Sequence, residues 1–275
     1  MTAFTERLTI ALRNHGPLCV GLDPRFESLP SYFKHLTPAA AYEAFCLRVL
    51  ELVRPYSGIV KPQAAFFEQA GPDGMKALQT VMHKARDLGF VTILDAKRGD
   101  IASTAQAYAE AAFSPAVWHA DAVTVNPYLG ADSVEPFISE ARKYHGGLFI
   151  LVRTSNPGGG LFQNLQCEGE PLYRHVAKAV HTWDAGHGDV GAVVGATHPR
   201  ELLELRTLLP NAWFLVPGYG AQGGTAADIR PAIRGDGLGL VINSSRGVTF
   251  PFTPEDTAWE SKIAAAAERA AKDLR

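Results

Sequence analysis

Three observations predict a (β/α)8 TIM barrel for this 275-residue sequence. Eight short apolar segments recur at roughly 30-residue intervals, each runs into polar or glycine-rich residues, and most are followed by a helix-like stretch. The segments are 18–22, 58–61, 91–94, 122–125, 148–152, 191–194, 213–216 and 238–242. Their continuous apolar character suits parallel strands buried on both faces, and the spacing leaves room for a crossover helix between each pair. The same elements could also wind into an open α/β sheet, which is the alternative.

The helices follow in order at 39–53, 74–88, 100–113, 133–144, 172–185, 199–209, 225–232 and, rich in alanine, from 254 onward. Residues 5–14 read as an extra helix ahead of the first strand. No Ser/Pro-rich linker or compositional break divides the chain, so 1–275 is read as a single barrel domain. Residues 156–171 form a glycine-rich loop long enough to build or cover a site.

Composition narrows the function. Hydrophobic residues make up 47% and charged residues 20%, the formal charge is -2, and Arg and Lys are scattered, so no basic surface for nucleic acid is expected. Cys19, Cys46 and Cys167 stand at irregular spacing without a Cys-x-x-Cys pair, which reads as reduced thiols in a cytoplasmic protein. Residues 1–13 carry charges and lack the long apolar core of a signal peptide, and no segment reaches the length of a membrane span. The nine histidines show no His-x-x-x-His spacing, so no metal is expected.

In a barrel of this kind the active site lies at the C-terminal ends of the strands. Those ends carry Asp23, Lys61, Asp95 with Lys97, Thr154 with Ser155, Pro217-Gly218-Tyr219-Gly220, and Ser244-Ser245-Arg246-Gly247. Asp95 and Lys97, two apart on the third strand, share a face. Gly99 lets the chain turn and Asp100 opens a helix. One charged strand end is explained by a structural salt bridge, whereas Asp23, Lys61, Asp95 and Lys97 from three neighbouring strands form an alternating charge network around one cavity. Lysines held among carboxylates stay protonated, which argues against a Schiff base and for a cation that stabilises negative charge or donates a proton. The run Gly218-Tyr219-Gly220-Ala221-Gln222-Gly223-Gly224 can bring backbone N–H groups to an anion, and Arg246-Gly247 adds a guanidinium suited to phosphate.

Together these residues resemble the orotidine 5'-phosphate decarboxylase family, in order from Gly21 to Val248. Asp95, Lys97, Asp100, Ile101 and Thr104 match its signature Asp-x-Lys-x-x-Asp-Ile with a following Thr. Lys61 is similar to its second-strand lysine, Asp23 to its ribose-binding aspartate, and Ser155 before Asn156-Pro157 to its pyrimidine-contacting serine. Pro217, Gln222, Arg246 and Gly247 fall in its phosphate-binding motifs. The variants Lys61-Pro62-Gln63-Ala64-Ala65-Phe66-Phe67 and Lys97-Arg98-Gly99-Asp100-Ile101, with the long loop after Ser155, resemble its longer bacterial subgroup.

The resemblance implies loss of CO2 from C6 of orotidine 5'-phosphate to give uridine 5'-phosphate in de novo pyrimidine biosynthesis, without metal or organic cofactor. It makes Lys97, Asp95, Lys61 and Asp100 catalytic, and Asp23, Thr104, Ser155, Pro217, Gln222, Arg246 and Gly247 substrate-binding. It further implies a homodimer in which Asp100 and Thr104 serve the neighbouring subunit's site. From the residues alone, Asp100 is equally a helix N-cap and Thr104 a helix-surface residue. Alternatives are a Mg2+-dependent sugar-phosphate decarboxylase or aldolase of the same superfamily, and a catalytically dead nucleotide-binding barrel. His198 is read as a cap or packing residue, Tyr128 as packing beneath the loops, and Cys19 as a small core residue.

Overall fold

The computed structural model describes residues 3–220 and 222–275, so Met1, Thr2 and Ala221 of the glycine-rich run lie outside the described residues. Largely apolar runs form eight parallel strands: β1 (Leu18–Leu22), β2 (Ile59–Pro62), β3 (Val91–Arg98), β4 (Ala122–Val125), β5 (Gly147–Arg153), β6 (Val190–Val194), β7 (Phe214–Val216) and β8 (Leu240–Ser244). Their order around the sheet is β1-β8-β7-β6-β5-β4-β3-β2, and β1 pairs with both β2 and β8. The sheet is closed, which excludes the open alternative.

Period-two alternation divides the buried residues into two sets. Cys19, Ile59, Ile93, Phe149, Val193, Leu215 and Val241 belong to one cluster, while their neighbours Leu18, Val60, Leu94, Leu148, Val194, Val216 and Ile242 pack in a second with the surrounding helices. The expected extra helix spans Phe4–His15. Its apolar face sends Phe4, Leu8 and Leu12 into the first cluster, where the Phe4 ring meets Phe149 edge-on with centroids 6.1 Å apart. This helix closes the N-terminal end of the barrel and leaves the other end to the site.

Several boundaries differ from the sequence reading, each for a local reason. β3 continues four residues past Leu94 to Arg98, with a register shift between Leu94 and Arg98. Its charged end breaks the apolar pattern and is irregular, with Lys97 left-handed before pairing to β4 resumes at Arg98. Asp100 does not open the following helix, which spans Ala102–Phe113 with Ile101 at the N-cap position. The Asp100 carboxylate instead accepts from the Ile101 N–H at 2.9 Å, and the left-handed residues are Lys97 (φ 47) and Ala102 (φ 47) on either side of Gly99. The stretch 225–232 divides into a capped helix, Ala226–Ile229, and a 3-10 turn, Arg230–Ala232, because Pro231 has no N–H to continue the ladder. The last helix is Trp259–Asp273, starting later than Pro254, since the Asp256 carboxylate accepts from the Ala258 N–H and holds a turn before it. A short helix, Ala64–Glu68, and a small hairpin, Gln166–Cys167 with Glu170–Pro171, were not anticipated.

Phe4→Ala should lower the unfolding free energy by about 3–5 kcal/mol, the cost of an aromatic cavity in a dense core. Urea unfolding measures this. A loss under about 1 kcal/mol contradicts the closing role given to the helix.

Candidate active site

The C-terminal strand ends enclose a cavity of about 570 Å³, into which Asp23, Lys61, Asp95, Lys97, Ser155, Pro217, Gln222 and Arg246 all project or border. At its centre is the Asp95 carboxylate, 5% exposed. Oδ2 accepts from Lys61 Nζ and from Gln63 Nε2 at 3.0 Å, and Oδ1 accepts from Lys97 Nζ at 2.6 Å and from the Thr124 hydroxyl at 3.0 Å. Four donors on two oxygens satisfy the carboxylate.

Electrostatics follow from this geometry. Burial pushes the Asp95 carboxyl up, but Lys61 and Lys97 outweigh it and hold the group well below the usual carboxylate range. Burial likewise pushes the Lys61 ammonium down, and Asp95 with Asp23 more than reverse this, so Lys61 is held above the usual lysine range. Cys19 behind them is buried in the barrel, and burial pushes its thiol up to about 12, as befits a core residue. The lysines differ in access. The Lys61 side chain is 5% exposed, whereas that of Lys97 is 46% exposed and stands at the open side of the cavity.

Gln63 and Thr124 were missed by the sequence reading. Both had a visible signal: Gln63 lies two beyond Lys61 and so on its face, and Thr124 is the polar residue within the apolar β4 run Ala-Val-Thr-Val. Thr124 does more than contact Asp95. Its oxygen also accepts from the backbone N–H of Ala96 at 3.1 Å and Lys97 at 2.9 Å, holding Lys97 in its left-handed conformation. For a side chain with a Cβ such a backbone is strained, and it persists here because Asp95 and Thr124 fix it from two sides.

Across the cavity, Gly218 (φ 97), Gly220 (φ 72) and Gly223 (φ 97) take left-handed conformations that a side chain would oppose, bending the loop so that Gln222 faces the cavity. Arg246 borders the same region from the end of β8. Gly247 follows it inside the short helix Arg246–Thr249 and is not among the cavity-lining residues. Asp23 and Asn243, from neighbouring β1 and β8, each present a buried Oδ1 without a hydrogen-bond partner among the described residues.

Asp100 and Thr104 are not brought to this cavity. Thr104 is exposed and Asp100 half-buried, both beyond the rim. Tyr128 does not pack beneath the loops: it is 80% exposed, because the Asn126 side chain accepts from the Tyr128 N–H at 3.0 Å and turns the chain outward. His198 occupies the N-cap position of helix Pro199–Leu208 without a side-chain cap bond, and its Nδ1 lies 3.5 Å from Arg153.

The family model for "Orotidine 5'-phosphate decarboxylase / HUMPS family" matches residues 16–259. The chain belongs to this family. An orotidine 5'-phosphate decarboxylase from Rhodopirellula baltica is 44% identical, covering 97% of this chain and 96% of its own length. One from Roseiflexus castenholzii is 42% identical, covering 100% and 96%. Among solved structures, Leishmania donovani OMP decarboxylase superposes with a TM-score of 0.83 at 38% identity, covering 99% of this chain and 97% of that one. In this orotidine 5'-phosphate decarboxylase family member, the matched region contains every residue of the cavity described above.

Asp95→Asn should cost about 3–5 kcal/mol in urea unfolding at neutral pH, because Lys61 stays buried with its carboxylate gone. Asp95 has a depressed folded-state pKa, so its contribution is complete above the unfolded value near ~3.9 and fades only as pH falls toward the folded one. The difference between wild type and variant should therefore be flat from about pH 5 to 7 and shrink below about pH 4. A difference that shrinks between about pH 5 and 7 contradicts the depressed carboxylate.

Proposed function

We infer that the chain removes CO2 from C6 of orotidine 5'-phosphate to give uridine 5'-phosphate, the decarboxylation of pyrimidine biosynthesis. One observation carries the reading: a carboxylate held ionised between two lysines, in a cavity whose far side presents Gln222, Arg246 and a glycine-rich turn.

Decarboxylation breaks the C6–carboxylate bond and leaves its electron pair on a vinylic carbon that resonance delocalises poorly. A preorganised cation beside that carbon lowers the barrier. Lys97 is the accessible cation; it stabilises the carbanion, passes a proton from Nζ to C6 as CO2 departs, and regains a proton from water. Asp95 lies beside the departing carboxylate, and two carboxylates ~4 Å apart repel by about 4 kcal/mol at an effective dielectric near 20. That repulsion is relieved as neutral CO2 forms. Lys61 keeps Asp95 charged and oriented from the closed side. Asp23 offers its unpartnered oxygen to the ribose, Ser155 contacts the pyrimidine, and Pro217, Gln222 and Arg246 hold the phosphate, whose binding energy closes the loops over the ring; Gly247, set back from the cavity, supports Arg246.

We further propose a homodimer in which Asp100 and Thr104 complete the neighbour's site, Asp100 extending the Lys-Asp-Lys array and Thr104 meeting the ribose. In support, neither residue lines its own cavity, and Ile101, Thr104 and Tyr108, all exposed, fall at helical spacing. Ile101 is 55% exposed, as expected of a surface that a second copy covers. We read 1–275 as one domain of a cytoplasmic enzyme; its three free thiols fit a reducing compartment. No helix among the described residues is long and apolar enough to cross a membrane.

Absorbance loss of orotidine 5'-phosphate tests the activity. Wild type should consume it at a rate unchanged by EDTA, and Lys97→Ala should fall by at least about 10⁴-fold, since one group supplies both charge and proton. No consumption by wild type, or an EDTA-sensitive rate restored by Mg2+, overturns the mechanism. Subunit sharing has its own test. Mixing inactive Asp100→Asn and Lys97→Ala chains should restore about one quarter of normal sites if subunits exchange evenly, because half the dimers are mixed and each carries one intact site. A mixture as inactive as its parts, with exchange verified, contradicts the shared site.

A further inference from the structure

Arg153 is a buried cation that the mechanism above leaves unused. It ends β5, two residues before Ser155, and is 4% exposed. Its guanidinium is balanced on one side by Glu201 at 3.6 Å and packs toward the Tyr173 ring, 5.9 Å from the centroid. On the other side Nη1 donates to Gln163 Oε1 at 3.1 Å. Gln163 belongs to the four-residue helix Gly160–Gln163 within the long loop after β5.

Arginine carries donors only, so it fixes which end of the Gln163 amide faces it. With the carbonyl toward Arg153, the same Oε1 accepts from the Thr154 N–H at 3.1 Å, and the amide Nε2 donates to the Thr154 hydroxyl at 2.8 Å. One loop side chain thus pins both the backbone and the side chain of the residue preceding Ser155. A Cβ on Gly159 would lie 2.8 Å from the Thr154 hydroxyl and 3.1 Å from Gln163 Oε1, so the loop keeps a bare backbone where this amide fits. From the next barrel position the Thr197 hydroxyl donates to the Ser155 carbonyl at 3.3 Å. Ser155 is held from before and after, at the wall of the cavity.

We propose that Arg153 and Gln163 form a positioning pair that sets Ser155 for recognition of the pyrimidine ring, a role that rests on the activity inferred above. The long loop then acts as a brace: its short helix returns to the strand it left and fixes that strand's end. Arg153 orients Gln163, Gln163 orients Thr154, and of these four residues Ser155 is the one that touches substrate.

The test compares Gln163→Met, which keeps length but loses all three hydrogen bonds, with Gln163→Glu, which still accepts from Arg153 and the Thr154 N–H. For Gln163→Met, KM for orotidine 5'-phosphate and Kd for uridine 5'-phosphate should each rise about tenfold, the effect of mispositioning one hydrogen-bonding contact. Its kcat should stay within about threefold, and ribose 5-phosphate, which lacks the ring, should bind as to wild type. Gln163→Glu should stay within about threefold of wild type throughout. A Met variant with wild-type KM and uridine 5'-phosphate affinity overturns the pair, as does one that loses ribose 5-phosphate affinity equally, since that marks general collapse. A wild-type chain that neither consumes orotidine 5'-phosphate nor binds uridine 5'-phosphate overturns the activity and the pair together.

Discussion

A single buried carboxylate organises this barrel. Asp95 sits within β3, where its apolar run gives way to the cavity, in a region of low dielectric in which an unpaired charge costs several kcal/mol. The chain meets that cost with Lys61 from β2, Lys97 from β3 itself, Gln63 beyond β2 and Thr124 from β4. Each donor comes from the carboxylate's own strand or an immediate neighbour, so the register of β2, β3 and β4 and the charge array require one another. A slip of one residue in any of these strands would turn the polar residues toward the helices and the apolar ones into the cavity.

The same interaction accounts for the strain beside it. Lys97 adopts a left-handed backbone that no glycine relieves, held by its ion pair to Asp95 and by the Thr124 oxygen on its own N–H. Held in this way, the ammonium needs little reorganisation when negative charge develops before it, which is the advantage of a preorganised site over water. The closed side is the reverse: Lys61 has almost no exposure and serves the carboxylate rather than the substrate. Two lysines on one aspartate thereby take different tasks, separated by depth in the barrel.

The sequence carried the barrel well because buried parallel strands leave uninterrupted apolar runs, and each of the eight barrel strands contains such a run. It also placed Asp23, Lys61, Asp95, Lys97, Ser155, Gln222 and Arg246 together at strand ends, which is where the cavity is. It was less informative where a polar residue continues a strand. β3 runs on through Asp95 to Arg98 because the cavity accepts those side chains, and hydropathy cannot register a polar interior. Thr124 was passed over for the same reason, being a single polar residue in an apolar run, and Gln63, though inside a quoted motif, was given no role. The Gln163 brace depends on one amide meeting an arginine ten positions earlier, a contact that no periodicity encodes, and the two-residue strands of the hairpin at Gln166–Pro171 are too short to show a period. Asp100 shows the opposite limit: its spacing reads as a helix cap, yet the helix starts beyond it and its carboxylate serves the Ile101 N–H.

Asp95 stays charged because two lysines hold it so, and its carboxyl carbon reports this directly. In protein carrying 13C-labelled aspartate, with Asp95→Asn used to assign the resonance, the Asp95 signal should keep its ionised shift as pH is lowered to about 4, where an ordinary aspartate is close to half-protonated. Replacing Lys61 with Met should bring its titration up toward the ordinary range. A wild-type midpoint at or above about 3.9 would contradict the account.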